Sequence, residues 1–218
     1  MRKLFCATAI GMLLAGLAMS NASCAAVAWF AAQFAPKQKV KAKFEPPRGK
    51  KMLVFVDDIL SPVNYEPVKI ELSRRLNGLL VAKRVAAQTV SYDRLADLMQ
   101  ATPDFNRLAV SEVGRKLGAD IVLYVHIDRF SLRDTAADQL WRGRLQATVR
   151  MVDVEKGRLW PKDREAGYML KEVDTPRMGE TADTSADELT KSLTTDMADQ
   201  ISKLFHEHEA AHEGAWPK

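Results

Sequence analysis

Residues 140–154, LWRGRLQATVRMVDV, constrain the fold more than any other stretch of the chain. Leu145, Ala147, Val149 and Met151 alternate with Arg144, Gln146, Thr148 and Arg150, and Arg142 extends the polar row. A period of two fits a strand and excludes a helix, whose apolar positions recur every three or four residues. One apolar and one charged face imply antiparallel neighbours, since parallel strands are buried on both sides. The chain must therefore build a sheet that is antiparallel in at least one part.

The remaining pattern supplies the rest of that sheet and its cover. KMLVFVDD (51–58) is a short continuous apolar run, as in a strand buried on both faces. Asn64 is placed to cap a following helix, with Pro67 in its first turn and Val68, Leu72, Leu76 and Leu79 on one stripe. RVAAQTV (84–90) reads as a second strand, and Ser91 caps a short helix bearing Leu95, Leu98 and Met99. After the break at TPDF (102–105), a helix from about Asn106 carries Val110, Val113 and Leu117 and stops at Gly118. ADIVLYVHIDRF (119–130) is the clearest strand, and LRDTAADQ (132–139) is turn-like.

Gly157 turns the alternating strand into another, and 166–173 resumes the sheet after Pro161. A last helix opens at Ser185, which with Glu188 fits a capping box. Its stripe is Leu189, Leu193, Met197, Ile201, Leu204 and Phe205. The order β-α-β-α-α-β-β-β-α places the chain in the α/β class. A mixed sheet carries helices packed on it in two or three layers, and its late strands form an antiparallel meander.

The amino terminus sets the compartment. Arg2 and Lys3 precede an uncharged apolar run from Leu4 to Met19, then Ser20, Asn21, Ala22 and Ser23. This is the three-part pattern of a secretory signal peptide, and the run is short for a permanent span. The alternatives are an uncleaved anchor from Leu4 to Ala35, a buried helix of a cytosolic protein, or ordinary secretion with a cut after Ala25 or Ala26. Of the two cysteines, Cys6 falls inside the leader, so cleavage leaves Cys24 alone and without an intramolecular disulfide.

These residues resemble a bacterial lipoprotein precursor, with Ala22-Ser23-Cys24 as the end of its lipobox and Asn21 where Leu is usual. The resemblance implies diacylglycerol on the Cys24 sulfur, export, and a membrane-anchored protein facing the periplasm. In such lipoproteins Ala25 after the cysteine directs release to the outer membrane. The expected organisation is a signal peptide over 1–23, then the anchor, an apolar patch and a Lys/Pro-rich linker over 24–50. A single α/β domain follows over 51–208, and a flexible tail over 209–218. Lys37, Lys39, Lys41, Lys43, Arg48, Lys50 and Lys51 in the linker would be drawn to anionic lipid or polymer, or simply solvated.

A second resemblance rests on SEVGRKLGADIVLYVHIDRFSL followed by GRLQATVRMVDVEKGRLWP. Leu-Gly-Ala-Asp closing a helix, an apolar strand, and a strand ending in an Asp-x-x-x-Gly turn look like an envelope superfamily with an anticodon-binding-like fold. It includes the amino-terminal domain of TolB, the curli-secretion lipoprotein CsgG and the lipoprotein activators of penicillin-binding proteins. The chain is also similar to planctomycete-type lipoproteins of unknown role. The resemblance implies a binding or assembly module for another envelope protein or glycan, with a homo-oligomer as a further form. The long amphipathic hairpins of a curli-type pore are missing from the sequence.

Removing Arg2 and Lys3 from the 32 basic side chains leaves 30 against 28 acidic, or +2, which is no nucleic-acid footprint. No P-loop, dinucleotide fingerprint, CxxC pair or HExxH occurs, so no cofactor and no metal are implied. Asp57 and Asp58 end the first strand, where carboxylates can serve a ligand or cap a loop. His126 lies in an apolar strand and reads as packed, with a discontinuous hydrolytic or metal-dependent site as the alternative. His206, His208 and His212 sit in a tail and read as solvated, with weak adventitious metal binding as the alternative. Arg142, Arg144 and Arg150 share one strand face and are the expected partner-binding residues, able to grip carboxylates.

Overall fold

In the computed structural model, residues 39–59, 62–63, 65–134, 139–179 and 185–210 are described. Asn64, Cys24 and His212 lie outside them. One compact unit runs Lys41–His208. Two-residue strands lie at Lys39–Val40 (β1) and His208–Glu209 (β9).

Seven strands form one sheet. Three are parallel, in the spatial order β3 (Gln88–Val90), β2 (Lys51–Asp57), β4 (Ile121–Ser131). On the far side of β4 the long strand β5 (Arg144–Asp153) runs antiparallel, and β6 (Gly157–Trp160), β7 (Tyr168–Met169) and β8 (Val173–Asp174) pair antiparallel along it. The alternation read in 140–154 thus lies on the strand that reverses the sheet.

Each parallel crossover carries helix. α1 (Glu66–Ala82) joins β2 to β3, while α2 (Tyr92–Ala101), a 3-10 turn (Phe105–Arg107) and α3 (Val110–Lys116) join β3 to β4. The expected single helix from Asn106 is split, because Leu108 is extended and Ala109 starts α3 afresh. α1 opens at Tyr65, which makes no side-chain cap bond; Pro67 sits in its first turn. At α4 (Ala186–Lys203) the backbone N–H of Glu188 donates to Ser185 Oγ, half of the expected box.

The two faces of the sheet hold separate cores. On one, Leu72 and Leu76 of α1 and Leu193 and Met197 of α4 pack on Val54, Leu123, Ala147 and Met151. On the other, Leu95 of α2 and Val113 of α3 pack on Leu53, Val122 and Phe55. The arrangement is three layers, helix–sheet–helix. The opposite face of β5 is not bare: Thr148 is buried and the arginines there are half-buried.

The stretch expected as linker joins the fold from Lys41 onward. Phe44 stacks near Trp160 at 6.3 Å, Pro46 is buried, and the N–H groups of Lys43 and Phe44 both donate to Leu204 O. Proline and lysine content masked this segment, since its single anchoring aromatic has no period to reveal it.

Candidate functional site

The strand order defines where a site belongs. From β2 the chain crosses to β3 on one side, then returns to β4 on the other. The carboxyl ends of β2 and β4 flank that change of direction, the place where open α/β sheets receive ligands. Asp57 is the last residue of β2, and its register partner on β4 is His126.

These two residues are brought together. His126 Nδ1 lies 2.9 Å from Asp57 Oδ1, with the carboxylate 6% and the histidine 7% exposed. His126 Nε2 points towards Asp128 Oδ1 at 4.0 Å. The β4–β5 register shifts between Ile127 and Arg129, so Asp128 has no partner across the ladder. Thr148 Oγ1, on β5, donates to Asp128 Oδ2 at 2.7 Å. A polar row therefore crosses β2, β4 and β5 where the apolar core of that face ends.

Tyr124 marks the boundary between core and row. Its ring meets Phe55 edge-on at 5.5 Å, and the Arg150 guanidinium lies 4.2 Å from its centroid. Burial, then the neighbouring Asp57 carboxylate, hold the Tyr124 phenol well above its usual pKa. The Tyr124 phenol is thus a second hydrogen-bonding neighbour of Asp57, whose Oδ2 is wholly buried.

Asp58 turns another way. Its Oδ2 accepts the Val63 N–H at 2.7 Å and its Oδ1 accepts Lys69 Nζ at 3.0 Å. Lys69 also meets Glu66 Oε2 at 2.7 Å, and the Tyr92 hydroxyl donates to Glu66. Burial opposes the Lys69 charge, but hydrogen bonds to Glu66 and Asp58 outweigh it and raise the pKa. Asp57, Asp58, Glu66 and Lys69 all line one cleft of about 330 Å³, walled by Phe55, Ile59, Met99 and Phe105 among others.

The three arginines singled out in the sequence do not form one free stripe. Arg142 meets Asp174 Oδ2 at 2.8 Å, and Arg144 meets Asp134 Oδ1 at 2.7 Å. Arg150 stands over Tyr124, further along the strand. The structure adds Arg177, which meets the same Asp134 at 2.6 Å, and Arg133, which stacks on Trp141 at 4.4 Å. Sequence reasoning missed Asp134 and Arg177 because they lie in irregular segments with no period.

His206 and His208 rings meet edge-on at 5.8 Å, each bonded through Nδ1 to a backbone carbonyl. Among the described residues no three His, Cys, Asp or Glu side chains cluster as a metal site. No described helix is long and apolar enough to cross a membrane.

No protein-family model matches the sequence, and the curated proteins searched contain no match. Among solved structures, the chain is similar to a PelC dodecamer from Paraburkholderia phytofirmans at 13% identity and a TM-score of 0.40, covering 78% of this chain and 98% of that one. It is similar to lipoprotein GNA1162 from Neisseria meningitidis at 13% identity and a TM-score of 0.40, covering 72% and 99%. A minor lipoprotein from Acinetobacter baumannii matches at 15% identity and a TM-score of 0.34, covering 70% and 89%. Likenesses this distant carry no function across.

Proposed function

We propose that this chain is a cell-envelope lipoprotein whose α/β unit acts as a non-enzymatic binding or assembly module. The leader is removed, Cys24 takes a diacylglycerol anchor, and the unit Lys41–His208 is held at a membrane facing the periplasm. The observation that carries this reading is Ala22-Ser23-Cys24 behind a basic and then apolar leader. Its support is that the compact unit contains no cysteine, so the thiol has no structural task there. Confinement to a surface raises the effective concentration of partners on it.

The partner face in this proposal is the arginine side of β5. Among the described residues, three guanidinium groups there, of Arg142, Arg144 and Arg177, meet two carboxylates, of Asp134 and Asp174. Bidentate guanidinium geometry suits carboxylates on an envelope protein or glycan.

Intact-mass measurement on natively expressed protein tests the anchor. A chain starting at Cys24 with added acyl mass, and a Cys24→Ser variant lost from the membrane fraction, are the expected results. A membrane-free chain with an unmodified thiol ends the reading. Crosslinking in intact envelopes then compares the native chain with Arg177→Glu, and loss of the native adduct locates the face.

A discontinuous hydrolytic site at Asp57 and His126 has one observation in its favour, their 2.9 Å contact at the switch point. Nucleophilic catalysis also needs a hydroxyl or thiol bonded to the histidine. Thr148, the hydroxyl nearest in register, donates to Asp128 instead.

A further inference from the structure

The parallel strands β2, β3 and β4 all begin at one end of the compact unit, and α1, α3 and α4 finish there. A cleft of about 770 Å³ opens at this end. Its charged lining is Arg48, Lys83 and Arg84 with Glu45 and Glu207, beside His206. The three cations are exposed, and none of them has an ion pair among the described residues. Lys50 and Lys51 lead into β2 and Arg115 and Lys116 close α3 at the same end, against Asp120. The turn after β5 returns one charge, with Asp153 and Glu155 against Lys156. The end keeps a cationic surplus. Cations at the carboxyl end of a helix suit its dipole, which accounts for Lys83, Arg115 and Lys116. That does not account for Arg48, which lies on another segment, or for Arg84, whose φ of +57° is unfavourable for a side chain.

The chain also enters the unit here. The N–H groups of Lys43 and Phe44 donate to Leu204 O, just past the end of α4, and the next residues run on to β2. Lys37, Lys39, Lys41 and Lys43 alternate along the approach. Lys41 is 17 positions from Cys24 (41 − 24), at most about 60 Å of fully extended chain. A tether of that reach keeps the unit close to a bilayer and leaves its orientation open, so charge decides which end turns inward. The entry end is drawn to anionic headgroups. At the opposite end, Asp57, Asp58 and Glu66 stand against Lys69, and the arginines at the start of β5 are engaged by Asp134 and Asp174.

We propose that the end bearing Arg48, Lys83 and Arg84 docks on a membrane surface of anionic phospholipid. The proposal rests on Cys24 carrying the anchor: the acyl chains supply attachment, and the basic end supplies orientation. Arg144 pairs with Ser131, the last residue of β4, so docking turns the arginine face of β5 away from the bilayer. It also explains why a left-handed position that suits glycine holds an exposed cation instead.

Lysine acylation on vesicles tests this, with the natively produced full chain and its own side chains as reporters. The vesicles are phosphatidylcholine alone, or with roughly one third phosphatidylglycerol. On the anionic vesicles, acylation of Lys83 falls roughly threefold or more relative to the neutral ones. Lys191, exposed near the start of α4 at the opposite end, is acylated equally on both. High salt restores the labelling of Lys83. Arg48→Glu combined with Arg84→Glu, both exposed, keeps Lys83 as reporter and abolishes the difference at an unchanged melting temperature. Arg84→Gly, which relieves the backbone, reduces the difference in part. Equal labelling of Lys83 on both vesicles, protection of Lys191 in its place, or full protection in the double variant overturns the proposal. Sedimentation keeps this apart from a failure of the anchor. A chain left in solution with neutral vesicles refutes the anchor, and Lys83 is then still read on the anionic ones. A chain that sediments with both and labels equally refutes the docking.

Discussion

Asp57 and His126 are direct register partners on adjacent parallel strands, and their side chains close the same 2.9 Å contact on the same face of the sheet. Both are buried, and the Tyr124 phenol also hydrogen-bonds to the Asp57 carboxylate. His126→Leu takes the partner from Asp57 Oδ1. The expected loss is about 1–3 kcal/mol in urea unfolding. Asp57→Asn keeps an acceptor facing Nδ1 and loses less. Replacing both by apolar residues removes the orphan together with its partner, so the double variant is less destabilised than the two single losses summed. Additive losses would show that the contact has no coupling energy.

Two carboxylates make the fold acid-sensitive. Hydrogen bonding from Arg177, with the charges of Arg144 and Arg142, holds Asp134 below its usual pKa. The backbone N–H groups of Lys156 and Glu155, at 2.8 and 2.9 Å, do the same for Asp153. A carboxyl whose pKa is lower folded than unfolded stabilises the protein above its unfolded pKa, and that contribution disappears as pH falls through the folded value. The melting temperature should therefore be level across neutral pH and decline below about pH 4, the ordinary carboxylate range. Asp153→Asn flattens part of that decline. A melting curve that rises on acidification contradicts the assignment.

Glycines 78 and 114 predict opposite results from the same substitution. A Cβ at Gly114 on α3 would lie 2.5 Å from Val122 Cγ2 and 2.8 Å from Val154 Cγ2. Both neighbours are β-branched and stiff, and Val122 is in the sheet, so little can give. Gly114→Ala should cost about 1–3 kcal/mol through overpacking. Gly78 is exposed inside α1 with nothing within 4 Å of a new Cβ. Gly78→Ala should stabilise by about 0.5–1 kcal/mol, chiefly by restricting the unfolded chain. Chemical denaturation of both variants measures the sign.

The element order and the mixed sheet were legible because burial imposes period. Leu145, Ala147, Val149 and Met151 are all fully buried, as their alternation required. The stripe Leu189, Leu193, Met197, Ile201 on α4 is buried in the same way. The site was legible only as types at strand ends. Asp57 and His126 are 69 positions apart, and their meeting follows from a parallel register that no local pattern encodes. Phe44 against Trp160, and Asp134 among three arginines, arise in irregular chain, where tertiary contact replaces period.

Arg84 occupies a backbone position that suits glycine, and this gives the last prediction. Its φ is +57°, the left-handed region that a side chain makes unfavourable. The conformation ends α1: Arg84 N–H donates to Val81 O, and the next two N–H groups, Val85 and Ala86, both return to Leu80 O. Helices commonly end in such a left-handed residue, most often glycine. Arg84 is exposed, so its side chain adds no core packing to offset the strain. Arg84→Gly should raise stability by about 0.5–1 kcal/mol, the steric relief being partly offset by a freer unfolded chain. Arg84→Val, branched at Cβ, should lower it. Guanidinium unfolding of the pair gives the order glycine, arginine, valine, and any other order means that the turn does not control the end of α1.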